Sequence, residues 1–118
     1  MITISTHVLD TSLGRPAAGI RVFLGKSTGL ATDAGRGGEN IGTAVTDVDG
    51  RAKDLQGAAK LVAGNYVLRF EVGPYFAKSH RDAFFDIVVI DFRIESDDQH
   101  YHVPVLLSPF GYSTYRGS

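Results

Sequence analysis

Four imidazoles carry most of the chemistry open to this chain: His7, His80, His100 and His102. An unperturbed imidazole titrates near pH 6.5, so at neutral pH it can take a proton from water and return it, or bind a metal ion. Their settings differ. His80 lies in the polar run Lys78-Ser79-His80-Arg81-Asp82, where a solvated face accounts for it. His7 shares a period-2 parity with Thr3 and Ser5, opposite Ile2, Ile4 and Val8, so it points away from the apolar side. His102 shares its parity with Pro104 and Leu106, opposite Val103, Val105 and Leu107. Two such histidines fit solvent contact, proton transfer or zinc alike. For zinc, the spacing identifies no third protein ligand.

Other candidate groups carry less. Gly35, Gly37, Gly38 and Gly42 are not followed by the Lys-Ser/Thr of a phosphate loop and read as a flexible connection. Asp47, Asp49 and Gly50 resemble part of a calcium loop, but the closing Glu and flanking helices are missing, so a hairpin turn is expected. Asp97 and Asp98 read as a second acidic turn, solvated. The tail from Pro109 to Ser118 holds Tyr112, Tyr115 and Arg116 where polar, fraying residues are usual; an edge strand with an aromatic cover is its bland explanation.

Groups that would do chemistry need a frame to hold them. The chain has 118 residues, 43% of them apolar and 21% charged, which suits one globular domain over 1–118. Lys+Arg number 12 against 13 Asp+Glu, so nothing draws the chain to nucleic acid. The longest apolar stretches, such as Val103 to Leu107, fall far short of the ~18 residues of a membrane span. With no cysteine, disulfides, thiolate nucleophiles, Cys-ligated zinc and iron–sulfur clusters are excluded together. That composition suits a reducing compartment, and no basic-then-apolar leader is visible at Met1, so the cytoplasm is the expected location.

Val, Ile, Thr, Phe and Tyr make up 38 of the 118 residues, which favours strands. Alternation or turn punctuation marks seven: residues 2–8, 20–24, 42–46, 64–72, 87–95, 101–107 and 112–116. One helix is expected, over residues 75–82 after Gly73-Pro74. Residues 25–42 read as a long glycine-rich loop, and 51–62 support no assignment. The pattern is that of an all-β sandwich.

Three stretches, in this order, resemble the transthyretin-like family in its 5-hydroxyisourate hydrolase branch. They are Thr6-His7-Val8-Leu9-Asp10 with Gly14-Arg15-Pro16-Ala17-Ala18-Gly19, then Thr46-Asp47-Val48-Asp49-Gly50-Arg51, then His100-Tyr101-His102-Val103-Pro104 running on to Tyr115-Arg116-Gly117-Ser118. The segment from Gly64 to Phe76 also fits, so nearly the whole chain is covered. Departures lie in residues 26–42, longer and richer in glycine than usual, and at Ala83, where the family has Pro.

The resemblance implies a sandwich of two four-stranded sheets with one short helix, and a homotetramer with its active-site channel between subunits. It implies hydrolytic opening of 5-hydroxyisourate to a carboxylated imidazoline, in urate degradation towards allantoin. His7, Arg51 and His102 match the catalytic positions; Tyr115 matches the substrate-contacting tyrosine, and Ser118 closes the signature. On that footing the two histidines would move protons, without base and acid being assigned. Arg51 would hold substrate and oxyanion. Tyr115 would offer ring and hydroxyl to a flat substrate, and a carboxylate on Ser118 could orient an imidazole. Neither metal nor organic cofactor is expected, since an activated ring needs only acid–base groups. The alternative is a non-catalytic carrier of a small aromatic ligand, which would have no need of paired proton-transfer groups.

Overall fold

The computed structural model describes residues 1–27, 40–95 and 99–118. Strands β1 (Thr3–Asp10), β2 (Arg15–Pro16), β3 (Arg21–Lys26), β4 (Asn40–Val45), β5 (Arg51–Ala52) and β6 (Gly64–Glu71) are followed by helix α1 (Val72–Lys78). Strands β7 (Ile87–Ile94), β8 (His100–Ser108) and β9 (Gly111–Thr114) complete the chain. One sheet runs β4-β3-β6-β7, all antiparallel. The other runs β2-β1-β8-β9, with β5 pairing alongside β2 on the free edge of β1. The sandwich therefore has four positions in each layer, as expected, but two of the nine strands among the described residues are two-residue pieces that share one position.

Strand parity packs the core as the alternation requires. Ile2 just before β1, Ile4 and Val8 within it, and Val103, Val105 and Leu107 from β8 meet Val22, Leu24, Leu68, Phe70, Val88 and Ile90 of the facing sheet, all buried. The pair β1–β8 is parallel, register Ser5 to His102 and His7 to Pro104, so residues from the two ends of the chain stand side by side. Pro104 costs no ladder bond, because its carbonyl accepts from Thr114 Oγ1 on the β9 side and the β9 ladder ends at Val105.

Several expectations are corrected. Residues 51–62, left unassigned, seal the β1 edge: Arg51–Ala52 pair with His7 and Thr6, the Leu55 N–H donates to the Ile4 carbonyl, and the Ile4 N–H donates to Gln56 Oε1. The helix starts at Val72 and ends at Lys78, because its buried stripe is Val72 and Phe76, one turn apart. Pro74 still sits in the first turn, where no N–H is needed. His80 is not helical; it stands just beyond, with φ +57. The glycine-rich loop is shorter than read, since Gly25–Lys26 belong to β3 and Asn40–Gly42 to β4. Its remaining stretch, 28–39, lies outside the described residues, as do Asp97 and Asp98. The last strand stops at Thr114, and Arg15–Pro16, outside the seven expected strands, form strand β2.

Candidate active site

The outer face of the β1–β8 sheet carries the polar groups that parity keeps out of the core. At its middle, the turn from Asp47 to Gly50 docks against β1. The Asp47 carboxylate accepts the backbone N–H groups of Asp49 (2.9 Å) and Arg51 (3.0 Å). The hydrogen bond from the Arg51 N–H holds that carboxyl below its ordinary pKa against a smaller opposing burial effect, helped by the Asp49 N–H and by the charges of Arg51 and Lys53. Gly50 is required: its φ is +76, and a Cβ there would lie 2.4 Å from the Val8 carbonyl, which itself accepts from the Ala17 N–H. Buried Thr46 ties the turn inward, accepting from the Ile20 N–H and donating to the Ala17 carbonyl. The first two sequence motifs are thus one hydrogen-bonded unit, and its product is the placement of Arg51 opposite His7.

His7 donates from Nε2 to the Asp49 carbonyl at 2.8 Å. A carbonyl only accepts, so the Nε2 proton is fixed and neutral His7 presents Nδ1 as a lone pair. His102 is bound through its other nitrogen: Nδ1 lies 2.8 Å from Ser5 Oγ. Its Nε2 has no protein partner among the described residues. Burial lowers the His102 pKa from 6.5, and the charges of His100, His7 and Arg51 lower it further. It therefore stays a neutral base to lower pH than a free imidazole.

The chain's final residues do not fray. The Gly117 N–H donates to the His102 carbonyl at 2.8 Å, continuing the pairing past β9, and the Arg116 guanidinium lies over the Tyr101 ring (4.7 Å) while donating to Gln99 Oε1. Gly117 passes so close that a Cβ would stand 2.6 Å from His102 Cδ2. A side chain there would push the imidazole.

Arg51, Lys53, Asp54, His100, His102 and Ser118 line a cleft of about 340 Å³, the space of a small planar heterocycle. The structure thus brings Arg51, His102 and Ser118 into one cavity and places His7 beside Arg51. Tyr115 does not join them. It stands 58% exposed and lines a separate hollow of about 210 Å³ with Phe92, Tyr101 and Arg116, where His102 forms part of the wall. Sequence reasoning missed Ser5 and His100, although Ser5 shares the His7 parity and His100 shares that of His102. It also missed Lys53 and Asp54. Among the described residues, no group of three or more His, Asp or Glu is placed to hold a metal ion.

Comparison with known proteins agrees with the motif reading. Residues 4–117 match the family model described as the HIUase/Transthyretin family. A curated relative from Caulobacter vibrioides named 5-hydroxyisourate hydrolase is 43% identical over the full length of both chains. Among solved structures, the 5-hydroxyisourate hydrolase of Klebsiella pneumoniae superposes with a TM-score of 0.83 at 42% identity, covering both chains completely. Sea bream transthyretin in complex with thyroxine gives the same TM-score at 27% identity, covering 97% of this chain and 93% of that one.

Proposed function

The chain belongs to the HIUase/Transthyretin family, and from that premise we propose that its outer-face cleft is where 5-hydroxyisourate is hydrolysed. The protein is a 5-hydroxyisourate hydrolase acting in urate degradation. The fold alone does not choose between hydrolase and carrier, since both kinds of relative superpose equally well. One observation carries the enzyme reading: His102 and Arg51 line one cleft, His7 stands opposite Arg51 in the sheet, and each imidazole has one nitrogen fixed and the other without a partner among the described residues. A carrier of an aromatic ligand gains nothing from that arrangement.

In the proposed reaction, water adds to a ring carbonyl carbon, the carbonyl electrons move to oxygen, and collapse breaks the C–N bond with a proton passing to nitrogen. His102 Nε2 and His7 Nδ1 are the two lone pairs able to move those protons, for a typical gain of ~10²–10⁴-fold. Arg51 faces the oxyanion with a planar fork of donors and, being always charged, adds to the burial that favours neutral His102. Ser118 contacts substrate at the cleft. Tyr115 is assigned a substrate contact across a channel between subunits of a homotetramer. Supporting that assembly, Phe84, Ile87, Phe110, Tyr112 and Tyr115 are exposed on and around β7 and β9, one edge strand of each sheet.

The decisive test follows the absorbance of freshly made 5-hydroxyisourate with and without protein. Accelerated decay that disappears in His102→Asn supports the assignment; decay at the spontaneous rate overturns it. Dialysis against a chelator should leave turnover unchanged, whereas loss restored by zinc would show that a metal takes part. Light scattering should give four times the 12.7 kDa chain mass.

A further inference from the structure

Behind His102 runs a chain of hydrogen bonds with no part in the function assigned so far. Ser5 Oγ lies 2.8 Å from His102 Nδ1 and 2.9 Å from His100 Nε2, and His100 Nδ1 lies 2.6 Å from Thr3 Oγ1. The two rings are nearly parallel, 19° apart with centroids at 6.3 Å. Ser5 is buried, whereas His100 is exposed. The chain thus leads from the working imidazole to solvent through one buried hydroxyl.

A serine hydroxyl has one proton, and here it lies between two ring nitrogens. It can donate to only one of them, so the other must donate to it. The consequence is two linked states. In one, Ser5 donates to His100 Nε2, His102 Nδ1 carries a proton, and His102 Nε2 is a bare lone pair, a base. In the other, Ser5 donates to His102 Nδ1, and His102 Nε2 carries the proton, an acid. His100 changes tautomer in step, with its Nδ1 donating to Thr3 in the first state and accepting from it in the second.

We propose that Thr3, His100 and Ser5 form a proton wire that converts His102 between its base and acid tautomers while the ring stays neutral. The reading rests on His102 as a proton-transfer group in the proposed hydrolysis. The balance closes. When His102 Nε2 takes a proton from the attacking water, Nδ1 passes its proton to Ser5, Ser5 passes its own to His100 Nε2, and His100 Nδ1 releases one to Thr3 or solvent water. When His102 Nε2 then gives its proton to the departing nitrogen, the same three transfers run inward and restore the first state. No imidazolium need form inside the cleft. The surroundings favour such a device, because burial, Arg51, His7 and His100 all oppose a charged His102. The other charged groups at the cleft are Lys53 on the β5 side and Asp54 next to it. Ser5 and His100 are positioning and relay residues, since neither is required to touch the reacting atoms.

The test uses the full chain with 5-hydroxyisourate under saturating conditions. Ser5→Ala and His100→Ala should each lower kcat on the order of 10²-fold, the lower end for loss of a positioned proton-transfer path, with KM nearly unchanged. Imidazole added to the buffer should restore much of the His100→Ala rate, which repair of a merely structural defect would not do. Ser5→Thr, which keeps the hydroxyl, should retain turnover. In mixtures of light and heavy water, the dependence of kcat on deuterium fraction should be curved for the native protein and linear for Ser5→Ala. If Ser5→Ala fails to fold, exposed His100→Ala carries the test alone. Native kcat in both alanine variants, with His102→Asn inactive, would overturn the wire. Loss in His100→Ala that imidazole cannot restore would overturn it too. Native turnover in His102→Asn would instead remove His102 from the reaction, and the wire would fall with it.

Discussion

Strand β1 carries two polar clusters less than a strand length apart, and they are built on opposite terms. At its end, the Asp10 carboxylate is fully buried and accepts from Arg81 at 2.8 Å, Tyr75 at 2.7 Å and Ser12 at 2.7 Å. Burial alone would raise its pKa, but those hydrogen bonds and the Arg81 charge outweigh it and hold the carboxyl far below its ordinary value. In the middle of the strand, Ser5 and His7 belong to a cluster that leaves His102 Nε2 and His7 Nδ1 without partners among the described residues and opens on a cleft. The Asp10 cluster turns both carboxylate oxygens on donors to staple β1 to the residues around α1. The His7–His102 cluster fixes one nitrogen of each ring and keeps the other in reserve. Completed bonds hold the fold, and reserved ones do the chemistry.

Substitutions should separate the two clusters cleanly. The largest effect is expected at the open one: His102→Asn should cut turnover by ~10²–10⁴-fold with the thermal midpoint nearly unmoved, by kinetics and calorimetry. The pH dependence belongs to the same group. Because its pKa is lowered from 6.5, His102 remains a neutral base below that value, so the acidic limb of kcat/KM should lie below pH 6.5. A limb above it would break the reading. Next comes the closed cluster. Asp10→Asn should lose about 3 kcal/mol of stability in denaturant melts, the cost of breaking a buried pair, while kcat per folded molecule stays native. The sign with pH follows from a depressed carboxylate pKa: the stability is fully present above 3.8 and is lost as pH falls towards the folded value, a loss the Asn variant should not show. A smaller effect is expected for Arg51→Lys, which keeps charge but not the fork and should slow turnover about tenfold without changing stability. Last, His80→Asn should change neither measurement, since Asn tolerates the φ of +57 and His80 belongs to neither cluster. Any kinetic loss there would blur the distinction.

Much of this was readable from the chain, and the boundary of legibility is physical. Parity alone put His7 and His102 outside the core, because a side-chain period of two needs no knowledge of partners. The family resemblance gave Arg51 its place, and the reason for the Asp47–Arg51 motif then appears in the turn: a capping carboxylate, a glycine with φ +76, and a docking surface on Val8. What could not be read was pairing. Nothing local says that β1 and β8 lie parallel with Ser5 opposite His102, so Ser5 looked like any outward serine and His100 like a spare histidine. The same ignorance left 51–62 unassigned, since that segment is defined only by the edge it covers. The helix was set one turn late because Gly73-Pro74 reads as a start signal, whereas burial of Val72 decides where the turn begins. Tyr115 matched a family position, but within one subunit it lines a different hollow from Arg51.

The parallel β1–β8 pair also bears on time. The contacts that tie β1 to the rest of the cleft span some forty to a hundred positions, as Ser5 to His102 and His7 to Asp49 illustrate. Closing loops of that length costs entropy before any contact repays it, and folds dominated by such closures form slowly, in about milliseconds to seconds. On a ribosome, β1 emerges well before β8, and their parallel pairing waits for residues almost a hundred positions later. Until then β1 has only the two-residue strands β2 and β5 beside it, and without His102 the cleft is incomplete. Activity in this protein therefore arrives with β8, all at once, rather than growing with the chain.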